Sequence, residues 1–281
     1  MSQTMSYELD RLFERARDNR EPLDEKALFR IIVRFRHMAP FNAALVYIQK
    51  PGTQFAASAE EWERRFHRTV KPNAQPIVIL RPFGPVDFVY DLGDTEGEPL
   101  PDAFYSADPP PQGIAEADLD RLRRHMALAG IGYEERAYGS LQSAAVRFRE
   151  DCRILHVPAA TPQGKDKQIE SHVTVIVKTG LNPTAIFTAI LHELAHYYCG
   201  HLIPPDFPGN VPHRDGLSEI QQEFEAEGCA WLIAHRLGID CCSEAYLADY
   251  LDGDRQIPPV SKDAMLRAVG QIERIIRGTL R

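Results

Sequence analysis

The chain has 281 residues, 44% hydrophobic and 26% charged, with 32 Lys plus Arg against 40 Asp plus Glu for a formal net charge of -8. This is an ordinary globular composition, sufficient for two modest domains with real cores, and it excludes a low-complexity or disulfide-framework chain. No stretch reaches the roughly 20 apolar residues of a bilayer span, the N-terminus lacks the apolar core of a signal peptide, and Cys152, Cys199, Cys229, Cys241 and Cys242 are odd in number with no C-x-x-C pair, so a cytoplasmic protein with free thiols and no membrane partner is expected.

Between residues 26 and 81 ten Lys or Arg stand against three acids, and between 82 and 120 ten acids stand with no Lys or Arg. The acidic stretch is expected either to screen the basic one or to form a separate surface. Leu28, Ile31, Ile32 and Phe35, at helical spacing, predict a helix over residues 28 to 38. A second apolar segment, FNAALVYIQKPGTQ, ends at Pro51-Gly52. Ser58 followed by Glu61 is a capping-box signature for a helix with Trp62 and Phe66 on one face and Arg64, Arg65 and Arg68 mostly on the other. PIVILRPF and VDFVYDL, split by Gly84-Pro85, predict a β-hairpin. Residues 96 to 113 are rich in Pro, Asp and Gly and predict an irregular linker, which sets a domain boundary near Gln112, dividing the chain into 1–112 and 113–281.

Beyond the linker, EADLDRLRRHMALAG predicts a helix stopped at Gly130, and HVTVIVK, residues 172 to 178, predicts a strand open to an extended substrate. Asn182-Pro183 then supplies an N-cap and a first-turn proline for a helix reaching Cys199 and stopped at Gly200. On that helix His192 and His196 are i and i+4, so their imidazoles share one face with Glu193 beside them. This is H-E-x-x-H, in which two histidines hold Zn²⁺ and the glutamate is general base toward a water at the metal. A third donor is expected from QQEFEAEGCAWLIAHRLGI, where Glu223 and Glu227 share a face and Glu225 is turned away from it. Glu223 is the expected ligand, and Glu227 either orients a histidine or replaces Glu223.

His201 lies five residues past His196 and reads as a pocket histidine, while His172, His213 and His235 read as structural. Tyr197 and Tyr198 are candidate proton donors to a developing oxyanion. Cys152, outside the two metal helices, could place a thiolate in the open metal position and silence the site, with Cys199 as the alternative. In the basic stretch, Phe29, Phe35, Phe41, Tyr47, Trp62 and Phe66 are interleaved with cations that include Arg64, Arg65, Arg68 and Lys71, a combination that suits single-stranded DNA. Most of those aromatics lie on apolar faces, and taken singly each suits a core position better.

ILHELAHYYCGH followed by EFEAEGCAWLIAHRLG resembles the ImmA/IrrE metallopeptidase family and the related ArdC-type antirestriction proteins. APFNAALVYIQKPG, EEWERRFHRTVKP, PIVILRPFGPV and VYDLGDTEG resemble the N-terminal region of ArdC-like proteins, which is associated with single-stranded DNA binding. The resemblance implies an α+β protein: a small mixed N-terminal domain, then a gluzincin-like metallopeptidase domain with a mixed β-sheet. His192 and His196 would be zinc ligands, Glu193 the base and a downstream glutamate the third ligand. A helix-turn-helix repressor is the implied substrate, cleaved in response to DNA damage or phage as in CapP-type peptidases and stimulated by single-stranded DNA. The alternative is an ArdC-like antirestriction protein that binds DNA and keeps a structural metal. One departure is Glu227, where many ImmA-like members have Asn.

Overall fold

The structure is a computed structural model that describes residues 24–81, 86–101, 112–137, 143–159, 161, 163–201, 203–204, 206–207, 211–239 and 256–279. The described residues fall into two compact units, 24–101 and 112–279, of an α+β protein. Most of the expected linker, the Gly84-Pro85 turn, Cys241 and Cys242 lie outside the described residues.

In the first unit α1 (Glu25–Arg34) is capped by the Asp24 carboxylate, which accepts from the Lys26 N–H at 2.9 Å. It ends sooner than its apolar spacing suggests, because Phe35 leaves helical backbone at φ -86° and ψ 52° while its ring enters the core. α2 (Pro40–Gln49) starts on a proline whose missing N–H costs nothing at a helix start. α3 (Ala59–Phe66) begins at Ser58, whose hydroxyl accepts from the Glu61 N–H at 3.2 Å. Trp62 and Phe66 pack with Ala57 and Leu100, and Trp62 Nε1 donates to the Tyr90 carbonyl at 2.8 Å, so the indole is buried with its one donor satisfied.

The strands of this unit are β1 (Ala56–Ala57), β2 (Arg68–Val70), β3 (Ile77–Ile79), β4 (Asp87–Asp91) and β5 (Thr95–Gly97). β4 pairs antiparallel with β1 and β3, and β2 pairs with β5, so the expected hairpin is β3–β4 with Val78 opposite Phe88. α2 seals the outer edge of β3. Gln49 bonds both the N–H and the carbonyl of Val78 (2.9 and 2.7 Å), and Asn42 does the same for Leu80 (3.0 Å each). An edge occupied by amide side chains no longer offers a template to another strand.

The second unit comprises α4 (Glu116–Leu128), β6 (Ile131–Arg136), β7 (Ala144–Val157), β8 (Lys167–Lys178), α5 (Pro183–Cys199), α6 (Glu219–Leu237) and α7 (Lys262–Arg277). Its sheet has the order β6-β8-β7, with β8 parallel to β6 and antiparallel to β7. The expectation that residues 172 to 178 offer a free edge is therefore corrected. They form the middle strand, both of whose edges are filled, and the unbroken burial of residues 173–177 is the pattern of a strand covered on both faces. The outer strands are β6 and β7, each of which pairs with no second strand among the described residues.

α5 packs on β7 and β8 and also on α6 and α7, and it is buried around most of its circumference, as a central helix must be. Asn182 caps it by accepting from the Ala185 N–H at 2.9 Å, and Gly200 ends it at φ 82°. α6 and α7 are tied by a buried pair, Arg236 Nε donating to Glu273 Oε1 at 2.6 Å.

Candidate metal centre

One turn of α5 sets His192 above His196, and the N-terminal half of α6 lies against them. The two Nε2 atoms are 3.0 Å apart, and the Glu223 carboxylate is 3.6 Å from His192 Nε2 and 3.4 Å from His196 Nε2. Such a triangle is costly without a cation, since two imidazole nitrogens facing each other share at most one proton and the carboxylate only accepts. Zn–N bonds of about 2.0–2.1 Å in a tetrahedron place neighbouring donors about 3.3 Å apart, and the three separations here bracket that value. Two imidazoles and a carboxylate also suit a divalent transition metal. The residues present thus fit such an ion, and His192, His196 and Glu223 are the group that would hold it.

Glu227 occupies a different position. Its Oε1 is 3.3 Å from His192 Nδ1, on the far edge of the ring. Packing therefore separates the two glutamates that share a helical face: Glu223 meets both Nε2 atoms and Glu227 meets the back of His192. Burial pushes the His192 pKa down, but Glu227, Glu193 and Glu223 outweigh it and the net shift is upward. Burial, with His192 and His201 alongside, pushes His196 down to about 2, which keeps its ring neutral as metal ligation requires. Glu193 is 8% exposed and accepts a hydrogen bond from the Val146 N–H of β7; burial raises its pKa against the opposing pull of His192 and Val146.

A second buried group lies behind His196. His196 Nδ1 is 3.0 Å from His201 Nδ1, and His201 Nε2 is 2.9 Å from Glu225 Oε2. Arg214 grips both Glu225 oxygens, through Nη2 at 2.9 Å to Oε1 and through Nη1 to Oε2, and the Ser261 N–H adds a 3.0 Å bond to Oε1. Burial alone would raise the Glu225 pKa, but His201, Arg214 and Ser261 hold it below the usual carboxylate range. Glu225 points away from the metal face, as its place on the helix predicts, and supports the site from behind.

The signal for His201 is the helix stop itself. When a glycine ends a helix in the left-handed conformation, the next residue folds back over the last turn, and the His201 N–H bonds to the His196 carbonyl at 3.0 Å. Gly200 is required twice over, since a Cβ there would lie 2.0 Å from the Pro212 carbonyl oxygen, and that close passage delivers Arg214 to Glu225.

Of the described cysteines, Cys152, Cys199 and Cys229, none joins the ligand triangle. Cys152 is exposed in the stretch of β7 where the register against β8 shifts between Phe148 and Arg153. Cys199 is buried with its Sγ 3.9 Å from Cys229 Sγ on α6. Tyr197 and Tyr198 both have raised pKa values through burial, and Tyr197 lies in an aromatic group with Phe148 (6.0 Å between ring centroids) and Phe207 (6.4 Å). His172 contacts the Arg149 carbonyl, His213 pairs with Asp215 at 2.7 Å, and His235 contacts the Trp231 carbonyl one turn back.

In the first unit the four cations singled out for DNA divide in two. Arg64 and Arg65 are exposed and, among the described residues, pair with Glu60 (3.6 Å) and Glu61 (3.0 Å), and the Arg65 guanidinium lies over the Phe66 ring. Arg68 is consumed by β5, donating to the Thr95 hydroxyl and carbonyl and to the Gly97 and Glu98 carbonyls, and Lys71 donates to the Gly93 carbonyl at 2.8 Å. Phe29, Phe35, Tyr47, Trp62 and Phe66 are core residues and give no stacking platform.

No family model matches the chain and no curated protein matches it. One solved structure that is similar is the crystal structure of the antirestriction protein ArdC from the R388 plasmid, in metal-free form: the match covers 99% of this chain and 100% of that one at 13% identity, with a TM-score of 0.35.

Proposed function

We propose that the second unit is a zinc-dependent endopeptidase of the gluzincin kind, in which His192, His196 and Glu223 hold the ion and Glu193 is the general base. The observation that carries this reading is the convergence of three donors, 3.0 to 3.6 Å apart, beside a buried carboxylate. When bound, Zn²⁺ supplies Lewis-acid polarisation of the scissile carbonyl and lowers the pKa of an adjacent water toward about 7. Glu193 takes a proton from the attacking water and passes it to the leaving amine nitrogen, so water adds across the peptide bond and the carboxylate is regenerated. The Val146 N–H holds that carboxylate toward the site. Val146 lies on the open edge of β7, where an extended substrate backbone can add as a further strand. Phe148, Tyr197 and Phe207 form an apolar wall there for a substrate side chain.

The substrate class, a helix-turn-helix repressor cleaved after DNA damage or phage attack, follows from the sequence resemblance and is part of the proposal. Stimulation by single-stranded DNA narrows to Arg64 and Arg65, the two exposed cations of the four. The test is coexpression with such a repressor. Glu193→Gln should keep its metal and lose cleavage by about 10²- to 10⁴-fold. Cleavage at the wild-type rate would remove Glu193 from the chemistry. Cellular function that survives in that variant but fails when Arg64 and Arg65 become Ala would favour the DNA-binding alternative with a structural metal.

A further inference from the structure

We infer that Arg214, Glu225 and His201 form a one-way hydrogen-bond relay that sets the tautomer of His196, leaving its Nε2 lone pair bare toward the metal; this rests on the metal reading above. The argument starts at the far end. A guanidinium and a backbone N–H can only donate, and Glu225 receives two bonds from Arg214 and one from Ser261. Glu225 is therefore the acceptor throughout, and its contact with His201 Nε2 at 2.9 Å requires a proton on that nitrogen.

His201 is fully buried, and the Glu225 charge is already matched by Arg214, so a second proton on His201 would lack a counter-ion. His201 Nδ1 is then bare and must accept across the 3.0 Å contact with His196 Nδ1. His196 carries its proton on Nδ1, which leaves Nε2 unprotonated at the point where His192 Nε2 and Glu223 converge. The same count shows that Cys199, His201 and Glu225, although near one another, are not a second metal site. Both Glu225 oxygens already accept two donors each, and a carboxylate has only about four lone-pair positions.

His201, Glu225 and Arg214 are thus positioning residues acting through His196. Three variants test the direction of the relay. His201→Leu breaks it. Glu225→Gln keeps the shape but turns an acceptor into a donor at Oε2, which reverses the order and drives the His196 proton toward Nε2. His201→Gln preserves the order, since its carbonyl can accept from His196 and its amide can donate to Glu225.

The first readout is imidazole ¹⁵N NMR of the metal-free protein, which needs neither activity nor zinc. His196 should be protonated at Nδ1 and His201 at Nε2. The second is Zn²⁺ affinity by competition with a chromophoric chelator. The leucine variant and Glu225→Gln should each bind about 10- to 100-fold more weakly, while His201→Gln should stay nearest the wild type. A His196 proton on Nε2 in the metal-free wild type, or equal affinity in wild type and Glu225→Gln, overturns the relay. If the leucine variant does not fold, the wild-type tautomers and the two polar variants decide the matter. A wild type with the expected tautomers that binds no Zn²⁺ contradicts the metal reading and leaves the hydrogen-bond order standing.

Discussion

The basic stretch of the first unit and the candidate metal centre of the second use their polar side chains in opposite ways. In the first, Lys50, Arg68 and Lys71 each donate to an acid or to carbonyl and hydroxyl oxygens, while Arg64 and Arg65 stay exposed beside Glu60 and Glu61. Lys50 bonds to Asp94 at 2.6 Å and lies 3.3 Å from Asp91, Arg68 is absorbed by β5, and Lys71 caps the Gly93 carbonyl. Of these cations, Lys50 is the one whose charge the acidic stretch meets, through Asp91 and Asp94. At the candidate metal centre of the second unit lone pairs face lone pairs, with two Nε2 atoms and a carboxylate around one point. Density of charge along a sequence does not mark a site. What marks one is a set of polar atoms held together that cannot satisfy one another.

The contrast can be broken from either side, beginning with the largest effect. Arg214→Ala leaves the Glu225 carboxylate buried at 0% exposure without its counter-ion, which should cost about 3–5 kcal/mol in chemical denaturation. A loss below about 1 kcal/mol would mean that the relay is not a buried charged network. In the first unit, Arg68→Ala removes charge-assisted bonds to Thr95, Gly97 and Glu98 and should cost about 1.5–3 kcal/mol. Arg64→Ala, at a side chain 80% exposed, should stay within about 0.5 kcal/mol. Equal losses for these two arginines would erase the distinction between a structural cation and an exposed one.

The smallest expected effect is a pH dependence. Burial pulls the Lys50 pKa down, but Asp94 and Asp91 more than offset it, so the folded value lies above 10.5. A raised lysine value gives stabilisation that is complete below pH 10.5 and is lost as pH rises through the folded value. The unfolding midpoint of the first unit should fall more steeply above that pH in wild type than in Lys50→Met. Parallel slopes would show that the Lys50 contacts are not held in solution.

Elements with local signals were legible in the sequence. Asn182-Pro183 and Gly200 bound α5 because a cap and a left-handed stop act within one turn, and the i, i+4 spacing is enough to bring His192 and His196 together. β7 was not legible. Its charged residues 147 to 153 sit where the pairing with β8 slips, and a bulge destroys the period of two that reveals a strand. Glu223 and Glu227 share a face in the sequence, and only the packing of α6 on α5 tells them apart. The relay was hidden for a similar reason: His201, Arg214 and Glu225 come from a helix end, a loop and a second helix, and no periodicity links them.

The central claim is that His192, His196 and Glu223 converge because a metal ion belongs between them. Its most direct test is the zinc content of purified protein, by elemental analysis, for wild type and His196→Ala after identical exposure to Zn²⁺ and desalting. One tightly held Zn²⁺ per chain in wild type and none in His196→Ala is the predicted result. A wild type that retains no metal, or a His196→Ala variant that retains as much, would contradict it.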